Sequence, residues 1–381
     1  MAPLRLALAT PQFWPHIGDG PTHVLRLAES LIGLGHSVTI VTPQWKRTWP
    51  PQMWIGPVPV VRLRGNARGG WGTLRWMYGL AGWLKEQRFG GVIALGLKHE
   101  AYVALGAARK THAPTILIAG EDDLGWQRTA TLGRRIAKRC HEARAVVAPT
   151  VELANSLKER GFAGECITVI RRSMAIPPPR TPKLREDARF ALAATNYDLV
   201  TTANARVALA VGRLETGQRF GDLVRAWRIV AARHSEARLW LVGDGPERET
   251  LYQQISDLDQ RFRVLLPGTF DCLEELFQAS DMLLAPAAIT VPPLALLEGQ
   301  AAGLPAIAAD SSALDAHVVH EQTGLLYAAG DFKALAAAVN RLIEQPGMAV
   351  AYGAAARAAA EQWPTPEEEA RAYVDLIQQL Q

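Results

Sequence analysis

The feature that most constrains this chain is an alternation, repeated in two tracts, of short apolar runs with longer helical patterns. In the first tract the runs are Leu4–Ala9, Ser37–Thr42, Val58–Leu63, Val92–Leu95, Thr115–Ile118, Ala145–Ala148 and Ile167–Ile170. In the second they are Val207–Val211, Arg238–Val242, Arg263–Leu266, Met282–Ala285 and Ala306–Ala309. Helical spacing fills the gaps, as in Thr22–Leu34 and Glu152–Arg160, and Gly35 stands where a helix C-cap belongs. Strands separated by helices pair in parallel, since the crossover returns the chain to the same end of the sheet. Several runs are apolar throughout, as required where both faces of a sheet are covered. Between the tracts, Arg171 to Ala205 breaks the rhythm with Pro177, Pro178, Pro179 and Pro182, then a weak helical segment at Glu186–Ala194. Such prolines suit a linker. The division expected is residues 1–175, a Pro-rich linker at 176–205, a second α/β domain at 206–345, and helices over 346–381 returning to the first domain.

A length of 381 residues gives each half enough chain for its own core. No apolar run reaches the roughly 18 residues needed to span a bilayer. Met1 to Thr10 runs into Pro11, Trp14 and Pro15 without a small-residue cleavage site, so it reads as a first strand rather than a leader. Cys140, Cys166 and Cys272 are odd in number and far apart, which indicates neither a disulfide framework nor a zinc site. A reducing cytoplasm is the simplest setting. The net charge of +4 conceals an asymmetry. Residues 1–180 hold 24 Lys and Arg against 11 Asp and Glu, and residues 181–381 hold 17 against 26. A basic first half fits either an anionic surface or a plain solvated face.

Six tracts of the second half resemble, in order and at family spacing, the group 1 glycosyltransferases, the retaining family four. They are Val211-Gly212-Arg213-Leu214-Glu215, Leu241 to Arg248 with its Gly243-Asp244-Gly245, Ala279-Ser280-Asp281, Leu296-Leu297-Glu298, Ala301-Ala302-Gly303-Leu304-Pro305, and Thr323-Gly324-Leu325-Leu326. The first half has a glycine-bearing loop after strand one (Gly18, Gly20) and the tract Gly35 to Thr42. The resemblance implies an α/β fold of the GT-B kind, two Rossmann-like domains facing each other across a cleft. Independently of it, ligands of open parallel sheets lie outside the strand C-terminal ends. Gly212, Gly243 and Gly245 all follow predicted strands, where a missing Cβ permits close backbone approach, to a ligand or within a tight turn. The helices that follow begin with free N–H groups suited to a diphosphate.

The resemblance further implies a nucleotide-sugar donor, UDP- or GDP-linked, with no obligatory cofactor or metal, and a saccharide or lipid-linked acceptor. In the family an Arg and a Lys hold the diphosphate; here they are Arg213 and Gln218, with Arg219 following. A glutamate matching Glu298 contacts the ribose. The glutamate seven residues before it, which contacts the sugar, is replaced by Thr290, and the loop after it reads Val291-Pro292-Pro293. A threonine offers weaker contacts to hydroxyls than a carboxylate. Ala119 takes the place of a histidine common in the first domain. The usual Pro-Asn-Gly-Val-Asp closing that domain reads Arg171-Arg172-Ser173-Met174-Ala175. The expected site is therefore Arg213 and Glu298 as catalytic contacts, with Gly18, Gly20, Gln218, Gly243, Gly245 and Thr290 around the donor. His99 and Glu100 near the cleft rim are candidates for the lost histidine's role, though such a His is more often an ordinary surface residue. Glu121-Asp122-Asp123 reads either as an acceptor contact or as a solvated turn. Losing charge stabilisation at several positions leaves two readings, since one such donor contributes roughly 3 kcal/mol to a transition state. One is a transferase with an altered donor site. The other is a catalytically inactive, transferase-like protein acting as a binding or regulatory partner. Sugar-phosphate isomerisation on the same fold is a third.

Trp71 to Phe89 places Trp76, Leu80, Trp83 and Leu84 on one helical face, with Arg75, Lys85 and Arg88 nearby. Trp45-Lys46-Arg47-Thr48-Trp49 precedes it. The stripe reads first as a helix packed on its sheet and second as an anchor holding a cytoplasmic protein at the inner, anionic membrane face. No nucleic-acid motif is present, so nucleic acid is not an expected partner.

Overall fold

The computed structural model describes residues 2–66, 70–120, 123–130, 132–289, 291–311, 314 and 317–381. They form two compact units, Met1–Ser173 with Pro364–Gln381, and Met174–Trp363.

The first unit carries eight strands: β1 (Arg5–Ala9), β2 (Ser37–Gln44), β3 (Gln52–Ile55), β4 (Val58–Arg64), β5 (Gly91–Leu95), β6 (Thr115–Ile118), β7 (Val146–Ala148) and β8 (Ile167–Val169). Their order across the sheet is β3-β4-β2-β1-β5-β6-β7-β8. All neighbours are parallel except β3 and β4. Central β1 sets Leu8 opposite Ile40 on one side and Ile93 on the other, all fully buried. The helices are α1 (Asp19–Gly33), α2 (Gly70–Gln87), α3 (His99–Thr111), α4 (Asp123–Thr129), α5 (Gly133–Cys140) and α6 (Val151–Glu159). On α2, Trp76, Leu80 and Leu84 are buried, so the stripe that doubled as a membrane anchor is spent on the core. Trp83 leans on Phe89, ring centroids 4.9 Å apart. Trp45 and Trp49 each meet the His16 ring edge-on at 5.4 Å, which occupies that aromatic pair as well.

In the second unit α7 (Pro182–Thr195) precedes a six-stranded sheet of β9 (Arg206–Val211), β10 (Ala237–Val242), β11 (Val264–Gly268), β12 (Met282–Ala285), β13 (Ala306–Ala309) and β14 (Gly324–Tyr327). The order is β11-β10-β9-β12-β13-β14, parallel throughout. Its other helices are α8 (Phe220–Arg233), α9 (Arg248–Asp257), α10 (Glu274–Ala279), α11 (Leu294–Ala301), α12 (Phe332–Glu344) and α13 (Pro346–Ala360). Trp227 on α8 and Trp240 on β10 lie in separate cores on the two faces of this sheet. Each such large side chain contributes roughly 1.5–3 kcal/mol on leaving water. The proline-rich stretch is thus not a free linker. Its helix α7 is fixed to the sheet by Arg185 and Arg189, both bonded to Asp281 and to the Ala205 carbonyl.

Of the C-terminal helices, α13 packs on α11 in the second unit, and α14 (Pro366–Gln379) packs on α1 in the first. Helix α14 starts cleanly: Thr365 and Glu368 form a capping box, Pro366 occupies the first turn, and Glu367 to Glu369 face its positive end. Glu369 then reaches into the core, where one oxygen meets His23 Nε2 at 2.7 Å and the other accepts from Ser173 N and Oγ at 2.9 and 2.6 Å. Burial would raise this carboxyl, but His23 and the Ser173 donors outweigh it and hold the group below its ordinary range.

Candidate functional site

The C-terminal ends of β9 and β10 carry two loops laced together backbone to backbone. Gly212 N–H donates to Val242 O (3.0 Å), Leu214 N–H to Asp244 O (3.1 Å), and Glu247 N–H to Leu214 O (2.9 Å). This lacing accounts for the glycines. Gly243 has φ +148°, and a Cβ there would stand 1.9 Å from Gly212 O; one on Gly245 would stand 2.3 Å from Leu214 O. The neighbour they approach so closely is the adjoining loop.

From this scaffold Arg213 projects outward, its Nε–H donating to Glu215 Oε2 at 2.7 Å. Leu214 between them is fully buried and pins the loop. Gln218 ends a short 3-10 turn, and its Oε1 lies 4.0 Å from the place a Gly212 Cβ would take. It lines a small cavity of about 30 Å³ with Val211, Phe220, Ala285, Pro293 and Leu296. Arg219, at φ +56°, turns the other way: its guanidinium binds Asp222 at 2.7 Å. It is therefore engaged by its own helix. Glu298 is half-buried and is the fifth residue of α11. Thr290 lies outside the described residues. Pro293, the N-cap of α11, and Leu296, in its first turn, share the cavity with Gln218. The donor-side expectation is thus partly assembled, with Arg213, Gln218, Gly243 and Gly245 on two joined loops and Glu298 on α11.

In the first unit, Gly18 is the N-cap of α1 at φ +148°, and Gly20 lies in its first turn. A Cβ at either would meet nothing within 4 Å, so both leave backbone open at the end of β1. Asp19 between them lies 3.8 Å from Arg172. Ala119, the residue after β6, is buried.

Beyond it the sequence reading requires correction. His99 and Glu100 are not rim or surface residues: His99 is nearly enclosed and Glu100 is 0% exposed. Both stand at the start of α3, just after the fully buried Leu97. The His99 ring meets Trp126 edge-on at 5.0 Å, and its pKa falls through burial and the nearby Lys98 charge. Asp123, also buried, accepts from Leu97 N (2.8 Å) and Gly120 N (2.7 Å), with Lys98 Nζ at 3.4 Å. It therefore joins the ends of β5 and β6 and is no solvated turn; Glu121 and Asp122 lie outside the described residues. A Cβ on Gly96 would fall 2.8 Å from Glu100 Oε1 and 3.5 Å from Asp123 Oδ1. Neither Glu100 oxygen has a hydrogen-bond partner among the described residues. Burial, reinforced by the Asp123 charge, pushes its carboxyl up to about 8. The signal for this acid pair was present in the sequence as two acids each following an apolar strand, but nothing there distinguished inward from outward carboxylates.

Two parallel α/β sheets with glycine-bearing loops at their strand ends define the GT-B class of fold. HepE of Anabaena, solved in complex with UDP, superposes with a TM-score of 0.75 over 99% of this chain and 100% of its own, at 18% identity. Residues 205–345 match the family described as glycosyl transferases group 1, and residues 20–174 the one described as glycosyltransferase family 4. Both matches are to glycosyltransferase families, the second half resembling the group 1 glycosyl transferases and the first half glycosyltransferase family 4. Among its relatives, the lipopolysaccharide core biosynthesis glycosyltransferase LpsD of Rhizobium meliloti is 30% identical over 203 residues, 53% of this chain and 54% of LpsD. That match spans about half the relative's length. A D-inositol 3-phosphate glycosyltransferase of Thermobispora bispora is 25% identical over 427 residues, 97% of this chain and 94% of that one.

Proposed function

We propose that this protein transfers a sugar, with retention, from a nucleotide-sugar donor to a saccharide or lipid-linked acceptor, and needs no metal to do so. The observation that carries the reading is the laced β9–β10 loop pair, which directs Arg213 outward, with Gln218 of the same loop lining a small cavity. Arg213 supplies the fixed positive charge for the leaving diphosphate, where charge develops in the transition state. Gln218, in the place of the family lysine, contributes only neutral hydrogen bonds. Glu298 takes the ribose hydroxyls, since an ionised carboxylate accepts two at once. Thr290, in the place of the family's sugar-binding glutamate, offers the sugar only a neutral hydroxyl, Gly243 and Gly245 serve the donor indirectly by letting the two loops close on each other, and Gly18 and Gly20 leave backbone of the first unit open to a ligand. UDP is the first nucleotide to test, given the UDP complex of HepE; GDP is the second. Placement at an anionic membrane face is the accompanying reading, supported by the basic first half and by the outer face of α2. That face presents Trp71 (87% exposed) and Tyr78 (77% exposed), with Arg75 and Lys85 alongside.

Calorimetric titration with UDP, GDP, ADP and TDP, followed by the sugar conjugate of whichever binds, tests the reading. Binding should weaken by about 10- to 100-fold in Glu298→Ala, the worth of a hydrogen bond to a charged group. Arg213→Ala should lower turnover more than binding. Binding without turnover of any conjugate would favour a regulatory partner that has lost catalysis. Absence of all binding overturns both.

A further inference from the structure

Helices α6, α7 and α12 each begin on a residue whose side chain caps them: Thr150, Thr181 and Asp331 accept from N–H groups of the first turn. Helix α1 has no such start. Its N-cap is Gly18, which has no side chain to offer, and its first three residues are Asp19, Gly20 and Pro21. Glycine leaves the backbone there free to adopt other conformations. Thr22 N–H closes the turn on Gly18 O at 3.1 Å. A Cβ at Gly18 or Gly20 would meet nothing within 4 Å, so no neighbouring group presses on the turn at these two positions. Yet this is the backbone that stands open beyond β1.

What holds the start of α1 comes from the far end of the first unit. Asp19 faces Arg172 at 3.8 Å, and one turn further His23 meets Glu369. An ionised carboxylate only accepts, so His23 Nε2–H donates to Oε1, at 2.7 Å. Ser173 donates to Oε2 of the same group from its backbone N–H, at 2.9 Å, and from its hydroxyl, at 2.6 Å. His23, Ser173 and Glu369 are all buried. Three donors on two oxygens compensate a carboxylate that desolvation would otherwise make costly. Glu369 itself stands on a firm base. The capping box of α14 lies in the turn before it, and Tyr373 and Ile377 anchor the same helix in the core. The start of α1 is thus set by a side chain 346 residues from His23 and not by its own sequence.

We infer that Glu369 is a positioning residue of the candidate site: acting from the last helix through His23, it fixes the start of α1 and with it the open backbone of Gly18 and Gly20. This role rests on the proposed transfer reaction, in which that backbone meets a ligand. A turn held in place beforehand spares the ligand the cost of ordering it, so loss of Glu369 should appear in binding more than in the chemical step.

The test compares the full chain with Glu369→Leu and Glu369→Gln. Leucine fills much the same space and accepts nothing. Glutamine keeps both ties, its oxygen accepting from Ser173 and its amide N–H donating to His23 Nε2 once the ring proton moves to Nδ1. Amide hydrogen exchange, read by mass spectrometry, should run at least about tenfold faster over residues 18–27 in Glu369→Leu, the loss of one hydrogen bond to a charged group, with β5 and β6 unchanged. Glu369→Gln should exchange there as the parent chain does. In turnover of UDP-glucose or GDP-mannose, Glu369→Leu should raise KM about tenfold with kcat within about twofold of the parent, and Glu369→Gln should restore KM. Should Glu369→Leu not fold, His23→Leu, which leaves both Ser173 bonds in place, is read in the same way. Unchanged exchange in the leucine variant, exchange quickened through the whole sheet, Glu369→Gln as fast as Glu369→Leu, or a fall in kcat with KM unmoved overturns the positioning role. A parent chain that binds no nucleotide and turns over neither conjugate fails the transferase reading and the role with it, whereas unchanged exchange in Glu369→Leu overturns the tie alone.

Discussion

Glu100 shows how far one side chain can depart from what its sequence neighbours suggest. A glutamate between a histidine and an alanine at a helix start reads as surface, yet this one is enclosed beneath Gly96 and beside Asp123. Its carboxyl is pushed up to about 8, so the folded state keeps a proton that the unfolded chain releases near the ordinary glutamate value of 4.5. With the folded state holding more protons at this group in that window, its contribution to stability falls as pH rises from about 4.5 to about 8, by at most about 1.4 kcal/mol per pH unit. Above about 8 the loss is complete and the slope vanishes. Glu100→Gln keeps the shape and removes the titration. Denaturant unfolding at a series of pH values should show a shallower decline in the variant, with a remainder from Asp123, whose pKa burial also raises. Parallel curves for the two proteins would mean that Glu100 ionises normally.

Among the elements, legibility followed periodicity. Strands with apolar residues on both faces, such as β1, β5 and β9, announce themselves because no other buried element uses so short an apolar run between turns. The antiparallel edge strand β3 did not, because Gln52–Ile55 has only four residues and half of them face solvent. β14 was visible as the motif Thr323 to Leu326 but not as a strand, since Gly324 looks like a turn. Its glycine is a packing requirement: a Cβ there would stand 2.1 Å from Ala306 O on the neighbouring strand. The donor loops obey the same rule, and this part of the site was legible as glycines at strand ends. The direction of Arg219 was not, because its left-handed backbone and its bond to Asp222 are set by packing. Gly243→Ala tests the lacing: with a Cβ 1.9 Å from Gly212 O, the variant should lose about 1–3 kcal/mol of stability and nucleotide binding together. Thermal unfolding and calorimetry would show it, and a stable variant that binds normally would mean the loops can part without cost.

At the scale of the whole molecule, the charge asymmetry invites a surface experiment. No helix among the described residues is long and apolar enough to cross a membrane. The exposed face of α2 carries both ingredients, aromatic side chains and cations. Co-sedimentation should show the protein on vesicles rich in phosphatidylglycerol but not on phosphatidylcholine alone. Salt should weaken the association, and Trp71→Ala with Tyr78→Ala should reduce it severalfold. Equal recovery on both vesicle types would remove the membrane from the account. The ends of the first unit carry a different consequence. Its chain leaves at Ser173 and resumes at Pro364, with the entire second unit made in between. On a ribosome the eight-stranded sheet therefore emerges with the α1 surface uncovered. The contact between His23 and Glu369, 346 residues apart, must wait until Glu369 itself has been synthesised. So distant a closure is slow to find, and for that interval the nascent chain exposes an apolar groove that a chaperone has time to recognise.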